Sequence, residues 1–218
     1  MKTALILSGG MDSATLLYHL LEQGDEVICL TFNYGQRHKK EIELARQLAE
    51  YVSCKWQLVD LSGLKDLIKG NSQTDDSIPV PEGHYAEENM KLTIVPNRNM
   101  MMLAIAGAVA LSEKCDRLAY GAHAGDHAIY PDCRLEFVIA MRVAFGLCDW
   151  NKLDLIVPFQ EKSKGDIAKR GLELGVPYEK TWTCYAGQEK PCGKCGACTE
   201  RREAFEFAGQ PDPLEGEK

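Results

Sequence analysis

The sequence predicts an α/β protein with a mostly parallel, doubly wound sheet and a small C-terminal metal-binding helical subregion. Short apolar runs alternate with helical patterns, the first run stops at a glycine-rich turn, and four cysteines crowd the C-terminal part of the chain. At 218 residues the chain suits one core domain with an appendage. Its expected divisions are a nucleotide-binding α/β domain over 1–180, a zinc-binding subregion over 181–210 and a flexible tail over 211–218.

Ala4 to Leu7 reads as the first strand, and Ala14, Leu16, Leu17, Leu20 and Leu21 recur at helical spacing behind the turn. Val27 to Phe32 is the second strand, Glu41 to Tyr51 the second helix and Lys55 to Leu61 the third strand. Residues 69 to 92 carry Gly70, Pro79, Pro81 and Gly83 among polar residues and read as a long loop with a functional role or mobility. The rhythm returns with an apolar stretch over 100–111, a strand over 117–120, a helix over 135–147, a strand over 153–157 and a helix over 164–174. Gly175-Val176-Pro177 stops that last helix. A final helix is expected over 199–207.

Hydrophobic residues make up 45% and charged residues 26%, which excludes disordered and collagen-like chains. The net charge of -7 and the lack of a basic block argue against nucleic acid as a direct ligand. The apolar run before Ser8 is too short for a signal core or a membrane span, so no membrane association and a cytoplasmic location are expected. In a reducing compartment the clustered members of the nine cysteines read as metal ligands or catalytic thiols.

In open parallel sheets ligands sit at the carboxyl ends of strands, where a helix N-terminus offers N–H groups to an anion. Leu7-Ser8-Gly9-Gly10-Met11-Asp12-Ser13 occupies such a place. Gly9 and Gly10 allow unusual backbone angles and close approach of a phosphate, and Ser8 and Ser13 add hydroxyls. Asp12 would repel a phosphate without an intervening cation, for which magnesium is the economical choice. The bland alternative is a tight turn in which Asp12 or Ser13 caps the helix. The S-G-G-x-D-S pattern resembles the PP-loop of ATP pyrophosphatases, which implies cleavage between the α and β phosphates and AMP transfer. It is not a Walker A loop, because no Gly-Lys-Ser/Thr follows.

Cys184, Cys192, Cys195 and Cys198 are spaced C-x7-C-x2-C-x2-C, a set that suits tetrahedral structural zinc, with an iron-sulfur cluster as the main rival. Cys29, Cys54, Cys115, Cys133 and Cys148 read as small buried residues, with a reservation for Cys133 in its polar motif. Three polar stretches should line the cleft: 33–38 with Gln36, Arg37 and His38; 96–99 with Arg98 and Asn99; and 121–134 with Asp126, His127, Tyr130, Asp132 and Arg134. Taken singly, these residues could be helix starts and caps, Asp132 for the helix that follows it. Lys164 is a candidate to neutralise a pyrophosphate leaving group.

The PP-loop, Y-G-Q-R-H, V-P-x-R-N, Y-P-D-C-R and terminal T-C-Y with C-G-x-C-x-x-C occur here in the order of one family. On these motifs the chain resembles the 7-cyano-7-deazaguanine synthases (QueC) over nearly its whole length. The resemblance implies an adenine nucleotide alpha hydrolase-like fold, a homodimer, and conversion of 7-carboxy-7-deazaguanine and ammonia to the nitrile with ATP, through adenylated carboxylate and amide intermediates. It makes Asp12, Ser13 and Lys164 catalytic candidates, assigns Leu7 to Ser13, Gln36 and Arg98 to ATP, and leaves Arg37, His38, Asn99, Asp126, His127, Tyr130, Asp132 and Arg134 for the second substrate. Asp126 or Asp132 would meet the guanine-like edge. Asn97, where many members have Gly, and Gly125 to Ala128 depart from the common pattern. Expected near the base pocket, they leave open a relative that transfers activated deazaguanine to a protein amine or serves DNA modification. A zinc-knuckle binding module and a tRNA-thiolating relative are the other readings, and neither accounts for all the motifs.

Overall fold

The computed structural model describes residues 1–84 and 88–214, with Glu88 described by its backbone alone. Five strands form one sheet: β1 (Lys2–Ile6), β2 (Glu26–Asn33), β3 (Lys55–Asp60), β4 (Arg117–Ala119) and β5 (Asp154–Ile156). Their order is β3-β2-β1-β4-β5 and every pairing is parallel. The helices are α1 (Met11–Glu22), α2 (Lys40–Tyr51), α3 (Arg98–Ser112), α4 (Leu135–Cys148), α5 (Lys164–Glu173) and α6 (Gly196–Phe207). The expected doubly wound parallel sheet is therefore present.

Alternation along the strands explains the layering. Ala4, Ile28, Leu30 and Phe32 face one core with α3 and α4, whereas Leu5, Val27 and Cys29 face the other with α1, α2 and α5. Burying a leucine such as Leu5, Leu16 or Leu103 contributes about 1.5–3 kcal/mol. The run Asn89–Ser112 is long and apolar enough to cross a membrane by composition. Within it Met102, Leu103, Ala106 and Ala110 of α3 are buried in the first core.

The chain leaves β1 toward β2 and β3, then returns to place β4 and β5 on the opposite side of β1. Connections after β1 and β4 consequently diverge and leave a crevice at the carboxyl ends of these strands. On the outer side of α5, α6 packs along it, with Phe205 set edge-on to Tyr178 at 5.1 Å.

Two expectations about irregular segments change. Within the 69–92 loop, Asn71 to Thr74 are buried: the Asn71 side chain accepts from the amides of Gln73 and Thr74 at 3.1 and 3.0 Å. Polarity there reflects an internal hydrogen-bonded turn rather than solvation. In the tail, Asp212 is buried and accepts from Arg201 Nε and Nη2 at 2.8 and 3.0 Å, so order extends through it. The remaining expected tail, 215–218, lies outside the described residues.

Candidate active site

The loop after β1 is held in shape by its own glycines and serines. Gly9 takes φ +83°, and a Cβ there would lie 2.3 Å from the Glu41 carbonyl oxygen, so this position requires glycine. Gly10 has φ -78°, an ordinary extended angle, and N-caps α1 without a side-chain hydrogen bond. Neither Asp12 nor Ser13 serves as the N-cap. Ser13 Oγ donates to the Gly10 carbonyl at 3.1 Å and lies 3.0 Å from Ser8 Oγ, while Ser8 Oγ accepts from Gly10 N at 3.2 Å. The first-turn amides of α1 have no intrahelical acceptors and face the carboxyl end of β1.

Around this loop five ionisable side chains converge from four segments. Lys164 Nζ is 3.3 Å from Asp12 Oδ2 and 2.6 Å from Glu200 Oε2. Its place at the start of α5 is set by a capping box, in which Ser163 Oγ accepts from Asp166 N at 3.1 Å and Ser163 N donates to Asp166 Oδ2 at 3.0 Å. Burial opposes the charged ammonium, but Asp12 and Glu200 outweigh it and hold Lys164 above the ordinary lysine range. Burial likewise opposes the Asp12 carboxylate, yet Lys164 and then His123 hold it below the ordinary range.

His123 Nε2 lies 3.7 Å from Asp12 Oδ2 and 3.5 Å from Asp126 Oδ2. Burial disfavours the imidazolium, while the carboxylates of Asp126 and Asp12 push the ring up to about 9. Against that push, the Gly125 amide donates to Nδ1 at 3.1 Å, a bond that requires Nδ1 to carry no proton. In that arrangement the ring's Nε2 carries the proton that faces the carboxylates of Asp12 and Asp126. Asp12 Oδ1 is buried with no hydrogen-bond partner among the described residues. Three carboxylates thus face one ammonium.

These groups, Glu200 and His123 apart, line a cleft of about 1090 Å³ including its open mouth. Its other walls carry Phe32, Tyr34, Arg98, Asn99, Tyr120, Tyr130 and Tyr185, with His38 and Glu41 from the start of α2. Arg98 has no ion-pair partner among the described residues, and its guanidinium sits 5.8 Å over the Tyr34 ring. Cys133 also lines the cleft, and burial pushes its thiol well above the ordinary range, which is the wrong direction for a nucleophile.

Of the expected site residues, Leu7, Ser8, Gly10, Asp12, Ser13, His38, Arg98, Asn99, Asp126, Tyr130 and Lys164 line the cleft. Gly9 and Met11 shape the loop from behind, Met11 being wholly buried in the core. Gln36 does not line it. Its amide donates to the Phe32 carbonyl and to Glu41 Oε1 at 3.0 and 2.9 Å, so it braces Glu41. Arg37 turns away to the carbonyls of Asp75 and Ile78 and to Asp76. His127 bonds Gln160 Nε2 at 2.7 Å, Arg134 is exposed and donates to the His127 carbonyl, and Asp132 accepts from Asn99 N at 3.4 Å. Asp132 thus caps the first turn of α3 rather than the helix that follows it.

One departure from the common pattern, Asn97, has a structural cause. Asn97 is exposed at φ 58°, ψ 20°, a left-handed angle that glycine adopts freely and asparagine tolerates best among other residues. A glycine and an asparagine are both admissible there for backbone reasons. Neither Asn97 nor His127 lines the cleft, which removes the support they lent to a different acceptor.

Sequence reasoning missed His123 and Glu200. His123 lay inside a stretch already singled out for its polarity, but nothing local marks Glu200, which reaches the cluster only because α6 packs on α5. The four cysteine sulfurs lie within 4.8 Å of one another, near the edge of about 3.8 Å that tetrahedral metal-sulfur bonds of 2.3 Å imply. Amides of Ala186 and Cys192 donate to Cys184 Sγ at 3.4 and 3.3 Å, and that of Cys195 to Cys192 Sγ at 3.3 Å. The donor set fits a structural metal.

Known proteins resemble this chain along its whole length. The family described as Queuosine biosynthesis protein QueC matches residues 2–209. The chain is 59% identical to a 7-cyano-7-deazaguanine synthase of Methanoregula boonei, covering 100% of both chains. Identity is 52% to the synthase of Hahella chejuensis over 98% of this chain and 92% of that one. It is 51% to the synthase of Caldicellulosiruptor saccharolyticus over 100% and 96%. Among solved structures, the U34-tRNA thiolase NcsA from Methanococcus maripaludis with its [4Fe-4S] cluster superposes with a TM-score of 0.54 at 20% identity, covering 95% of this chain and 65% of that one. A 4-thiouridine synthetase in complex with RNA and ATP gives 0.53 at 18% identity, over 99% and 52%. Likeness at that identity concerns the fold alone. Matched from residue 2 to 209 and more than half identical to relatives across their length, the chain belongs to the QueC family of queuosine biosynthesis proteins.

Proposed function

We propose that the chain is an ATP-dependent carbon-nitrogen ligase that converts 7-carboxy-7-deazaguanine and ammonia to 7-cyano-7-deazaguanine. The observation that carries this reading is one cleft joining the phosphate loop to a recess walled by Tyr34, Arg98, Tyr120 and Tyr130, beside full-length likeness to the named synthases. The aromatic rings suit a planar heterocycle, and the guanidinium suits an anionic group.

A carboxylate is a poor electrophile, so its oxygen first attacks the α-phosphorus of ATP and pyrophosphate departs with the electron pair of the broken bond. Lys164 and the first-turn amides of α1 stabilise the charge on that leaving group. Ammonia then attacks the acyl carbon, AMP leaves and a proton passes to solvent, giving the amide. The amide oxygen attacks the α-phosphorus of a second ATP, pyrophosphate departs with the electron pair of the broken bond, and one N–H proton passes to solvent. Loss of AMP and the remaining N–H proton from that adduct leaves the nitrile.

Three carboxylates against one ammonium would repel a triphosphate, and the partnerless Asp12 Oδ1 fits a cation ligand. Magnesium, when bound with ATP, would shield the phosphate charge there. The four-thiolate set suits zinc in a closed structural role better than an iron-sulfur cluster, because sulfurs within 4.8 Å of one another fit round a single ion. Cytoplasmic action as a homodimer accompanies this reading. Ile139, Val143 and Leu147 form an exposed apolar stripe at four-residue spacing on α4, with Trp150 beyond it, as a subunit interface would require.

The test is incubation with ATP, magnesium, ammonium and 7-carboxy-7-deazaguanine, followed by mass spectrometry. The expected result is the nitrile with two AMP released per molecule. Amide accumulating without nitrile, or a covalently modified protein, would overturn the assignment.

A further inference from the structure

The cysteine cluster and the phosphate loop are joined by one side chain. Cys195 is the N-cap of α6 and Cys198 lies in its first turn, so the metal-binding turn and the start of the helix are one unit. Two residues on, Glu200 is buried and points through the α5 interface to Lys164, its Oε2 2.6 Å from Nζ, the closest charged contact in the cluster. Its other oxygen faces the space beside Gly125, where a Cβ would come within 2.9 Å. The α5–α6 contact is tight enough to fix this geometry: a Cβ on Gly165 would lie 2.4 Å from the Phe207 ring.

Lys164 has two anionic neighbours with different consequences. Pairing with Asp12 alone would draw the ammonium onto the phosphate loop, where it would neutralise the group that must manage the nucleotide. Glu200 lies behind Lys164, outside the cleft lining, and pulls from the opposite side. A lysine stem has several rotatable bonds and loses appreciable entropy when fixed, so a second counter-charge is an economical way to hold one rotamer.

We propose that Glu200 is a positioning residue for ATP, holding the Lys164 ammonium at the cleft wall, and that the metal-bound turn acts on the phosphate loop through it. This rests on the ATP-using reading above but is independent of which acceptor is adenylated. Two effects of removing the Glu200 charge have opposite signs. Loss of a nearby anion favours a triphosphate, whereas release of Lys164 disfavours it. The first effect survives without Lys164 and the second does not.

A double-mutant cycle separates them. ATP dissociation constants are measured by equilibrium binding for the metal-loaded wild type, Glu200→Gln, Lys164→Gln and the double variant, with metal content and thermal unfolding recorded for each. Glu200→Gln is expected to weaken ATP binding about tenfold when Lys164 is present and not at all when it is Gln. Equal weakening in both backgrounds, or none with Lys164 present, would overturn the proposal. Failure of the wild type to bind ATP would instead remove the functional reading on which it rests. If Glu200→Gln does not fold, Glu200→Asp, which keeps the charge but withdraws it by one methylene, goes through the same cycle with the same deciding outcomes.

Discussion

At the residue scale, chemical type identified the candidates and side-chain direction sorted them. Residues 33 to 38 were conspicuous as a polar block at a strand end, yet His38 lines the cleft, Gln36 braces Glu41 from below and Arg37 secures the 75–78 turn. Neighbours in a loop point to different sides, and no periodicity reports which. Asn97 is the opposite case, a position whose variability reads as specificity until its backbone angle is known. Replacing Asn97 by Gly should leave stability equal or slightly higher and KM for the deazaguanine substrate unchanged. Asn97→Val should cost about 1–2 kcal/mol in chemical denaturation. A changed substrate KM in Asn97→Gly would return this position to the binding site.

At the element scale, the helices and strands were legible because each has one apolar face, and their observed bounds differ from the sequence reading mainly at the ends. The informative difference is α6. It was expected from Thr199, but it begins at Gly196 with Cys195, one of the four clustered cysteines, as its N-cap. The helix has no side-chain cap hydrogen bond, and a metal held by the four thiolates would fix its start. Stripping the metal with a chelator should reduce helical circular dichroism by an amount compatible with the 12 residues of α6 and weaken ATP binding about as much as Glu200→Gln does. Unchanged ATP affinity after complete metal loss would show that α6 keeps its seat unaided. The 69–92 segment is irregular as expected, but Asn71 to Thr74 within it are buried, which composition does not report. A buried turn held by its own Asn and Thr side chains has the composition of a solvated loop.

At the scale of the whole molecule, the apolar stripe on α4 bears on assembly. Val143→Asp places a charge in its middle and should convert a dimer to monomers in sedimentation velocity while leaving the fold intact; a wild type that is already monomeric would remove the stripe from consideration. The sequence by itself determined the strand-helix alternation, the glycine-rich loop at the end of β1, the four-thiolate set and the family. Each of these is written in local spacing, where residue type and backbone period act over a few positions. Only the tertiary structure decided that His123 and Glu200 join Asp12 and Lys164, and that Gln36, Arg37, His127, Asp132 and Arg134 stand outside the cleft. Lys164 and Glu200 are 36 residues apart, and their meeting depends on how α6 lies against α5. Apolar patterning specifies that such a face is buried, but not which charged side chain emerges on the far side of the contact.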